Sequence, residues 1–190
     1  MNKSDARTEA LRRRRALDAE RRQLLDMLVF ERAHKFRPFQ LADVVHVFRS
    51  TDDEINTWPF IEYAWGIGKS VYVPVSDHAT HTLRHVQIDR HTNWTKGMYG
   101  ILEPVVTPVS NIVSASFFGS NTAVVVPIVA FDPSRRRVGY GKGYYDRFLA
   151  ESTAPTLGIA YECQKFPTID FEEHDVVLTA IATDHTWYVA

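Results

Sequence analysis

The sequence predicts an α/β fold, with one domain over residues 1–190, an open and mostly parallel sheet flanked by helices, and a long N-terminal helix. The chain has 190 residues, 45% hydrophobic and 24% charged, which is enough for one core. Short β-branched runs alternate with stretches of helical character, and no low-complexity segment or Pro/Gly/Ser linker marks a domain boundary. Such alternation is typical of parallel strands joined by helices.

The N-terminal helix is predicted within residues 4–33. Apolar residues recur there at seven- and four-residue steps, which places them on one helical face, namely Ala10, Leu17, Leu24 and Leu28. We expect one long helix or two shorter ones.

The middle of the chain begins with a strand at 44–48. A helix is predicted at 54–66, with the polar cluster at 50–53 as its cap. The remaining predictions are strands at 70–75, 84–88, 124–126 and 157–161, a helix at 144–150 and a final apolar stretch at 176–182. Strands and helices therefore keep alternating to the end of the chain.

Charge and cysteine content exclude several classes of protein. Lys and Arg number 22 against 23 Asp and Glu, a formal net charge of -1, so any phosphate binding must be local. The single cysteine, Cys163, allows no intrachain disulfide and no cysteine-cluster metal site. The N-terminal segment lacks the apolar core of a secretion signal, and no apolar run reaches membrane-spanning length. We expect a cytoplasmic protein without membrane association.

The densest motif, FDPSRRRVGYGKGYYDRFLA, follows a buried strand pattern and leads into a helix. Gly139, Gly141 and Gly143 allow positive φ and close approach to an anion, and a helix N-terminus adds unpaired N–H groups. Lys142 and Arg137 supply positive charge. The GxGxG spacing is neither a Walker A loop nor the dinucleotide fingerprint.

Aromatic and acidic residues accompany these glycines. Tyr140, Tyr144 and Tyr145 offer flat surface for a heterocycle, and Asp146 lies one helical turn beyond Lys142, where it could hold hydrated Mg²⁺. Loop composition alone fits a glycine-rich turn with a solvated basic edge equally well.

The same segment, read as VPIVAFDPSRRRVGYGKGYYDRFL, resembles the signature of the 5-formyltetrahydrofolate cyclo-ligases, or methenyltetrahydrofolate synthetases. Further ordered matches span nearly the whole chain: Lys3 with Arg7, EINT at 54–57, GK at 68–69 with VP at 73–74, ILEP at 101–104, GIAY at 158–161 with Gln164, and His174 with Asp175. Several ordered matches are more specific than one glycine loop.

The resemblance implies an open α/β sheet and a reaction. Such proteins use ATP and Mg²⁺ to convert 5-formyltetrahydrofolate, with or without a polyglutamate tail, into 5,10-methenyltetrahydrofolate, releasing ADP and phosphate. Phosphorylation of the formyl oxygen makes it a leaving group, and N10 then closes the ring. This chemistry needs positive charge, backbone N–H groups and Mg²⁺ more than a nucleophile.

The resemblance also implies roles for individual residues. ATP binding is expected at Lys3, Arg7, Arg137, Val138, Gly139, Tyr140, Gly141, Lys142, Gly143, Tyr144 and Tyr145. Folate binding is expected at Arg49, Glu54, Tyr140, Gly141, Lys142, Gly143 and Tyr144. Catalysis is expected from Lys142, Arg137 and Tyr145, and Mg²⁺ binding from Asp146 and Asp175. Alternatively, Lys3 and Arg7 belong to a solvated helix face, Glu54 stabilises a first helical turn, and Asp175 caps a loop.

The sequence departs from the family pattern at four places. Ile128 and Arg135 replace glycines, the segment 167–174 is longer than usual, and Thr179 replaces an aspartate. We expect the turn around Arg135 and the C-terminal wall of the site to differ from the family.

Other functions are weighed on particular residues. Zinc binding at His78, His81 and His85 is disfavoured because no cysteine or carboxylate nearby completes a tetrahedral set. Arginine runs at 12–15 and 135–137 suggest RNA, but the chain is slightly acidic and shows no recognised nucleic-acid module, so we expect no nucleic-acid partner. We also expect a monomer. Two alternatives stay open: a cyclo-ligase-like paralogue that binds nucleotide or RNA, and an ATP-dependent phosphotransferase acting on another heterocycle.

Overall fold

The computed structural model describes residues 1–173 and 175–190. Its helices are α1 (Lys3–Arg15), α2 (Ala19–Ala33), α3 (Arg37–Leu41), α4 (Trp58–Gly66) and α5 (Tyr144–Glu151). Three 3-10 turns lie at Met98–Gly100, Ala115–Phe117 and Glu162–Gln164.

Strands make up the rest of the regular structure. They are β1 (Val44–Val47), β2 (Ser70–Asp77), β3 (Thr82–Ile88), β4 (Trp94–Lys96), β5 (Leu102–Pro104), β6 (Ile112–Val113), β7 (Thr122–Pro127), β8 (Ala130–Phe131), β9 (Arg137–Val138), β10 (Thr156–Ile159), β11 (Ala180–Ala182) and β12 (Trp187–Val189).

One eight-stranded sheet organises the chain, in the order β12-β11-β10-β7-β1-β2-β3-β6. The five strands from β11 to β2 pair in parallel, whereas β12, β3 and β6 pair antiparallel at the two edges. The pairs β4 with β5 and β8 with β9 form two small separate sheets. The predicted open, mostly parallel sheet is confirmed.

The central strands are buried on both faces, as expected for parallel strands covered by helices. Val45 and Val47 of β1 pack into a core with residues of α2 and α4. On the opposite face, Val124 of β7 packs into a second core with Phe118 and with Phe148 of α5. Helix α5 is therefore seated directly on the sheet.

The N-terminal region forms two helices, α1 and α2, which is one of the two predicted alternatives. The side chain of Asp18 accepts a hydrogen bond from the Arg21 amide and starts α2 there. The predicted apolar face is partly wrong, because Leu24 and Leu28 are 46% and 41% exposed. The buried positions of α2 are Leu25, Val29 and Ala33.

Helix α4 begins at Trp58 rather than at residue 54, with a proline in its first turn. The cluster at 50–53 does not cap it, because these residues belong to a turn closed by Ser50 and Thr57. The Ser50 amide donates to Thr57 Oγ1 (3.0 Å), and the Thr57 amide donates to Ser50 Oγ (3.1 Å). We call residues 49–57 the glutamate turn. Among the residues that the structure describes, no helix has the length and apolar character needed to cross a membrane.

Candidate active site

The strand order changes direction between β1 and β7, which makes their carboxyl ends a topological switch point. After β1 the chain continues to β2 on one side, whereas β7, β10 and β11 extend the sheet on the other side. Ligands of open α/β sheets bind at such a switch point. The glutamate turn follows β1, and the segment that leads to the glycine motif follows β7, so both predicted ligand-binding segments lie at this edge.

Glu54 is held inside the glutamate turn, with 9% of its surface exposed. Its Oε2 accepts hydrogen bonds from the Thr51 amide (2.8 Å) and from Thr51 Oγ1 (3.1 Å). Its Oε1 accepts a hydrogen bond from Tyr140 Oη (3.2 Å). Because α4 starts only at Trp58, Glu54 lies outside the helix, and the alternative interpretation as a helix-dipole residue is wrong.

Tyr140 joins the glutamate turn to the predicted nucleotide motif. Its hydroxyl accepts a hydrogen bond from Arg14 Nη2 (2.8 Å) and donates to Glu54. Burial, and then the Glu54 carboxylate, raise the pKa of Tyr140 above its usual 10, although Arg14 opposes the shift. Two residues far apart in sequence, both predicted to bind folate, are therefore in direct contact.

Tyr145 occupies the first turn of α5, and its hydroxyl is buried with no hydrogen-bond partner among the described residues. Burial raises the pKa of Tyr145 strongly, and the Glu54 carboxylate adds to the shift while Arg137 opposes it. A phenol in this environment stays protonated at neutral pH. Tyr145 is therefore suited to donate a hydrogen bond and unsuited to act as a base.

The segment 139–143, the glycine loop, has backbone conformations that explain two of its glycines. Gly141 and Gly143 have φ of 87° and 70°. A Cβ at Gly141 would lie 3.1 Å from Arg7 Nη2, and a Cβ at Gly143 would lie 2.9 Å from Arg147 Nη1. Glycine adopts these backbone angles without the strain that a side chain adds, so both positions favour glycine.

The glycine loop leads into α5 without a side-chain cap at Gly143. The first N–H groups of that helix therefore face the loop without a side-chain acceptor, which favours an anion there. Arg7 lies beside the loop, where its Nε donates to the Gly139 carbonyl (2.8 Å). The neighbouring Val138 is buried in β9 and anchors the start of the loop.

Lys142 is exposed at the middle of the glycine loop, and its ammonium makes no hydrogen bond or ion pair with any residue that the structure describes. Its backbone carbonyl accepts a hydrogen bond from Arg147 Nη2 (2.9 Å). The adjacent Tyr144 hydroxyl is 3.1 Å from His78 Nδ1. The loop backbone is thus fastened from α5, while the Lys142 charge remains available to a ligand.

Arg137 has a different environment from Lys142, although both were predicted to be catalytic. Its side chain is 3% exposed, and its Nη2 donates to Asp146 Oδ1 (2.8 Å). Its Nε is buried without a partner among the described residues. Arg137 therefore compensates the negative charge of Asp146, a predicted magnesium ligand, by direct contact.

Lys3 and Asp175 form an ion pair in which Lys3 Nζ lies 2.6 Å from Asp175 Oδ2, and Glu172 accepts a second contact at 2.8 Å. Burial lowers the pKa of Lys3, but the hydrogen bonds that it donates to the two carboxylates outweigh this effect and leave the pKa raised. A predicted nucleotide ligand and a predicted metal ligand are thus neighbours. His174 lies outside the described residues.

Arg49 extends from the glutamate turn over the Trp58 ring, at 5.2 Å from its centroid. Burial lowers its pKa. Trp58 packs edge-on against Trp65 and Trp94, with ring centroids 5.8 and 6.1 Å away. This aromatic group beside Arg49 was missed in the sequence, where the three tryptophans are too widely spaced to show a pattern.

Arg14 was also missed, because it lies in a run of four arginines. The available signal was its helical position, since Arg14 lies seven residues after Arg7, and Arg7 lies four after Lys3, on one face of α1.

The histidines considered for zinc have separate surroundings. His85 is buried and lies 3.0 Å from His46, through Nδ1 and Nε2. His78 contacts Tyr144, and the His81 carbonyl accepts a hydrogen bond from Arg147. Within the described residues no group of three or more His, Cys, Asp or Glu side chains is placed to hold a metal.

The glycine loop and the first turn of α5 have the chemistry expected for a polyphosphate and for Mg²⁺, respectively. The uncapped α5 N-terminus, the two positive-φ glycines and the exposed Lys142 suit a polyphosphate. For Mg²⁺, Asp146 is 28% exposed at the first turn of α5 beside this loop. Mg²⁺ is commonly held by one or two carboxylates together with phosphates and water, so Asp146 fits that mode.

Two family departures have local explanations. Arg135 adopts a φ of 64°, the conformation that glycine takes without cost, and its Nε donates to the Leu178 carbonyl (2.9 Å). Ile128 is buried against Gly158, where a Cβ would lie only 2.5 Å from Ile128 Cδ1. The turn at Arg135 therefore keeps a glycine-like backbone without a glycine.

The other two departures lie at the C-terminal wall. Thr179 Oγ1 accepts a hydrogen bond from the Thr156 amide (3.0 Å) and so fixes the approach of β11 to β10. The longer segment before residue 174 packs on the N-terminus, where the Asp170 amide donates to the Met1 carbonyl (3.0 Å).

Comparisons with known proteins identify the family of the chain. The chain matches the 5-formyltetrahydrofolate cyclo-ligase family over residues 1–184. It is 33% identical over 181 residues to the 5-formyltetrahydrofolate cyclo-ligase of Escherichia coli (strain K12), covering 90% of this chain and 94% of that protein. The Mus musculus 5-formyltetrahydrofolate cyclo-ligase is 27% identical over 183 residues, covering 92% and 89% of the two chains.

Solved structures show the same fold. The NMR structure of Aquifex aeolicus 5,10-methenyltetrahydrofolate synthetase has a TM-score of 0.83 at 24% identity, covering 98% of this chain and 92% of that one. The 5,10-methenyltetrahydrofolate synthetase from Mycoplasma pneumoniae has a TM-score of 0.75 at 23% identity, covering 97% and 100%. On the family match and the Escherichia coli relative, the chain belongs to the 5-formyltetrahydrofolate cyclo-ligase family.

Proposed function

We propose that this protein converts 5-formyltetrahydrofolate into 5,10-methenyltetrahydrofolate. As in its family, the reaction binds Mg²⁺, consumes ATP and releases ADP and phosphate. The observation that carries the proposal is the contact of Tyr140 Oη with Glu54 Oε1 at 3.2 Å. This contact joins Glu54, the carboxylate predicted to bind folate, to the loop predicted to bind the nucleotide, at the switch point of the sheet.

Glu54 is proposed to bind the donor edge of the pterin ring. Thr51 holds one carboxylate oxygen through two hydrogen bonds, and Tyr140 contacts the other. A carboxylate accepts several hydrogen bonds, so it can orient a ring that presents N–H groups. Arg49 over Trp58, on the same turn, provides a cationic and aromatic surface beside it.

The glycine loop is proposed to bind the triphosphate, with Arg7 and the exposed Lys142 contributing charge. ATP, when bound, supplies the phosphoryl group that makes the formyl oxygen a leaving group before N10 closes the ring. Lys142 and the first N–H groups of α5 stabilise negative charge that grows on the transferring group. Tyr145, as a neutral phenol, donates a hydrogen bond within the site.

Asp146 and Asp175 are proposed to hold Mg²⁺ together with phosphate oxygens and water. Each carboxylate already has a cationic neighbour, Arg137 and Lys3 respectively. These cations limit the repulsion between the carboxylates and the phosphates before the metal arrives. Lys3, held in the same ion pair, is proposed to contribute positive charge toward the nucleotide.

The proposed partner is a small-molecule folate, and no nucleic acid takes part. The protein is proposed to be a monomer and to act in the cytoplasm. The arginine run at 12–15 supports the absence of a nucleic-acid partner, because its side chains have intramolecular acceptors. Arg12 contacts Glu9, Arg13 contacts Glu9 and two carbonyls, Arg14 contacts Tyr140 and Arg15 contacts Asp53.

The test follows absorbance at the methenyltetrahydrofolate band while purified protein is mixed with 5-formyltetrahydrofolate and Mg²⁺, with and without ATP. We expect the band to grow only when ATP is present. A flat trace with ATP present, from protein shown to be folded, would contradict the proposal.

A further inference from the structure

Arg14 differs from the three arginines beside it in the run on α1. Arg12 and Arg15 are exposed and pair with acidic side chains, and Arg13 binds carbonyls of the 163–165 segment. Arg14 is only 2% exposed. Its Nη2 donates to Tyr140 Oη at 2.8 Å, and its Nε is buried without a partner among the described residues.

A guanidinium remains charged at any ordinary pH, so its burial is costly unless an opposite charge compensates it. Within the described residues no carboxylate forms an ion pair with Arg14. The carboxylate that it does reach is Glu54, by way of the Tyr140 hydroxyl, which accepts from Arg14 and donates to Glu54. The Tyr140 hydroxyl thus links the Arg14 guanidinium to the Glu54 carboxylate through two hydrogen bonds.

The space around Arg14 decides whether it could touch the substrate. Arg14 and Glu54 line a cavity of about 10 Å³ together with Phe48, Ile128 and Gln164. That volume holds roughly one water molecule and no pterin ring. Tyr140, by contrast, is 49% exposed. A ligand can therefore contact Tyr140 directly, whereas Arg14 is covered behind it.

We propose that Arg14 is a positioning residue for folate binding, which rests on the proposed function of this site. Its hydrogen bond engages an acceptor lone pair of Tyr140 Oη and so directs the Tyr140 proton to Glu54, which holds the carboxylate in place for the substrate ring. Arg7, on the same helix, binds the Gly139 carbonyl. Helix α1 therefore fixes the glycine loop at two consecutive residues, on its nucleotide side and its folate side.

The test compares Arg14→Met with Arg12→Met, which removes the same charge from the exposed face of the same helix. In Arg14→Met we expect the KM for 5-formyltetrahydrofolate to rise about ten- to hundredfold, the range for losing a hydrogen bond to a charged group. The kcat and the KM for ATP should change by much less, and Arg12→Met should match the unmodified protein. Arg14→Lys, which restores the charge, should recover part of the affinity.

A double-mutant cycle tests whether Arg14 acts through Tyr140. If it does, Tyr140→Phe should remove most of the effect of Arg14→Met, so the combined rise in KM should fall well short of the product of the two single rises. If the KM rise in the double variant equals the product of the two single rises to within about twofold, the proposal is overturned. So would an unchanged KM in Arg14→Met.

Equilibrium titration of 5-formyltetrahydrofolate without ATP, with the melting temperature of each variant, separates the remaining outcomes. If the unmodified protein binds folate but forms no product, the proposed function fails while the Arg14 comparison can still be read from affinity. If Arg14→Met does not fold, Arg14→Lys and Tyr140→Phe decide the question. Full folate affinity in both of these variants would then contradict the positioning role.

Discussion

The glutamate turn and the glycine loop meet at Tyr140, but their charged groups are organised in opposite ways. Glu54 is 9% exposed and both of its oxygens already accept hydrogen bonds. Lys142 is exposed, and its ammonium has no partner in the described part of the chain. The folate side is thus arranged before a ligand arrives, whereas the nucleotide side presents an unpaired charge and unpaired helix N–H groups that an anion would order.

Lys142→Ala is the change expected to separate the two regions most. It removes a positive charge proposed to stabilise the transition state and leaves the folded core untouched. We therefore expect kcat to fall about 10²- to 10³-fold, the range for losing one group that stabilises growing negative charge. Steady-state rates with saturating ATP measure this. Lys35→Ala, another exposed lysine, is the control, and an unchanged kcat in folded Lys142→Ala protein would remove Lys142 from catalysis.

Glu54→Gln tests the arranged side of the site. The amide keeps the size of the side chain but loses its negative charge, so the KM for 5-formyltetrahydrofolate should rise about ten- to hundredfold. The KM for ATP should stay close to that of the unmodified protein. Glu62→Gln, an exposed acid on α4, is the matched control. Equal increases in both KM values would show that the two sides are not separate.

Asp146→Asn tests the metal assignment on the loop side. Loss of one carboxylate should raise the Mg²⁺ concentration for half-maximal rate about tenfold. A magnesium titration at fixed ATP measures this, and the melting temperature reports any loss from leaving Arg137 without its partner. A superimposable titration curve would exclude Asp146 from the metal site.

A buried histidine pair predicts a smaller, pH-dependent effect on the loop side. His46 and His85 contact each other and pack on Phe148 of α5, with ring centroids 4.7 and 4.4 Å away. Burial lowers the pKa of His85 to about 4, and burial with the His85 charge lowers that of His46 well below 6.5. The unfolded chain therefore binds more protons between these values.

Stability from the neutral pair is complete above pH 6.5 and should decline as the pH falls toward about 4. Urea unfolding at several pH values measures this decline. In His85→Gln, which cannot titrate, the decline should be shallower, whereas His78→Gln at the hairpin tip should behave like the unmodified protein. An identical decline in His85→Gln would show that the titration of His85 does not contribute to it.

Much of the fold could be predicted because its central strands are short β-branched runs separated by helical stretches. The start of α4 could not, since the polar residues 50–53 look like a helix cap and are instead used to build the turn around Glu54. The antiparallel edges depend on which strand each edge strand meets, and local pattern does not encode that.

The candidate site was predictable where a role is carried by a local motif. The glycine loop and Glu54 are of this kind, and the structure brings them together. The ion pair of Lys3 with Asp175 and the burial of Arg14 depend on contacts across the chain. Four consecutive arginines look alike in the sequence, and only packing selects the one that turns inward.

The most direct test of a site with a folate side and a nucleotide side is calorimetric titration of 5-formyltetrahydrofolate into the Glu54→Gln and Lys142→Ala proteins. We expect folate affinity to fall about ten- to hundredfold in Glu54→Gln. In Lys142→Ala, which removes an ammonium proposed to act mainly on the phosphate, folate affinity should fall by much less although turnover is lost. Unchanged folate affinity in Glu54→Gln, or a loss as large in Lys142→Ala, would contradict the account.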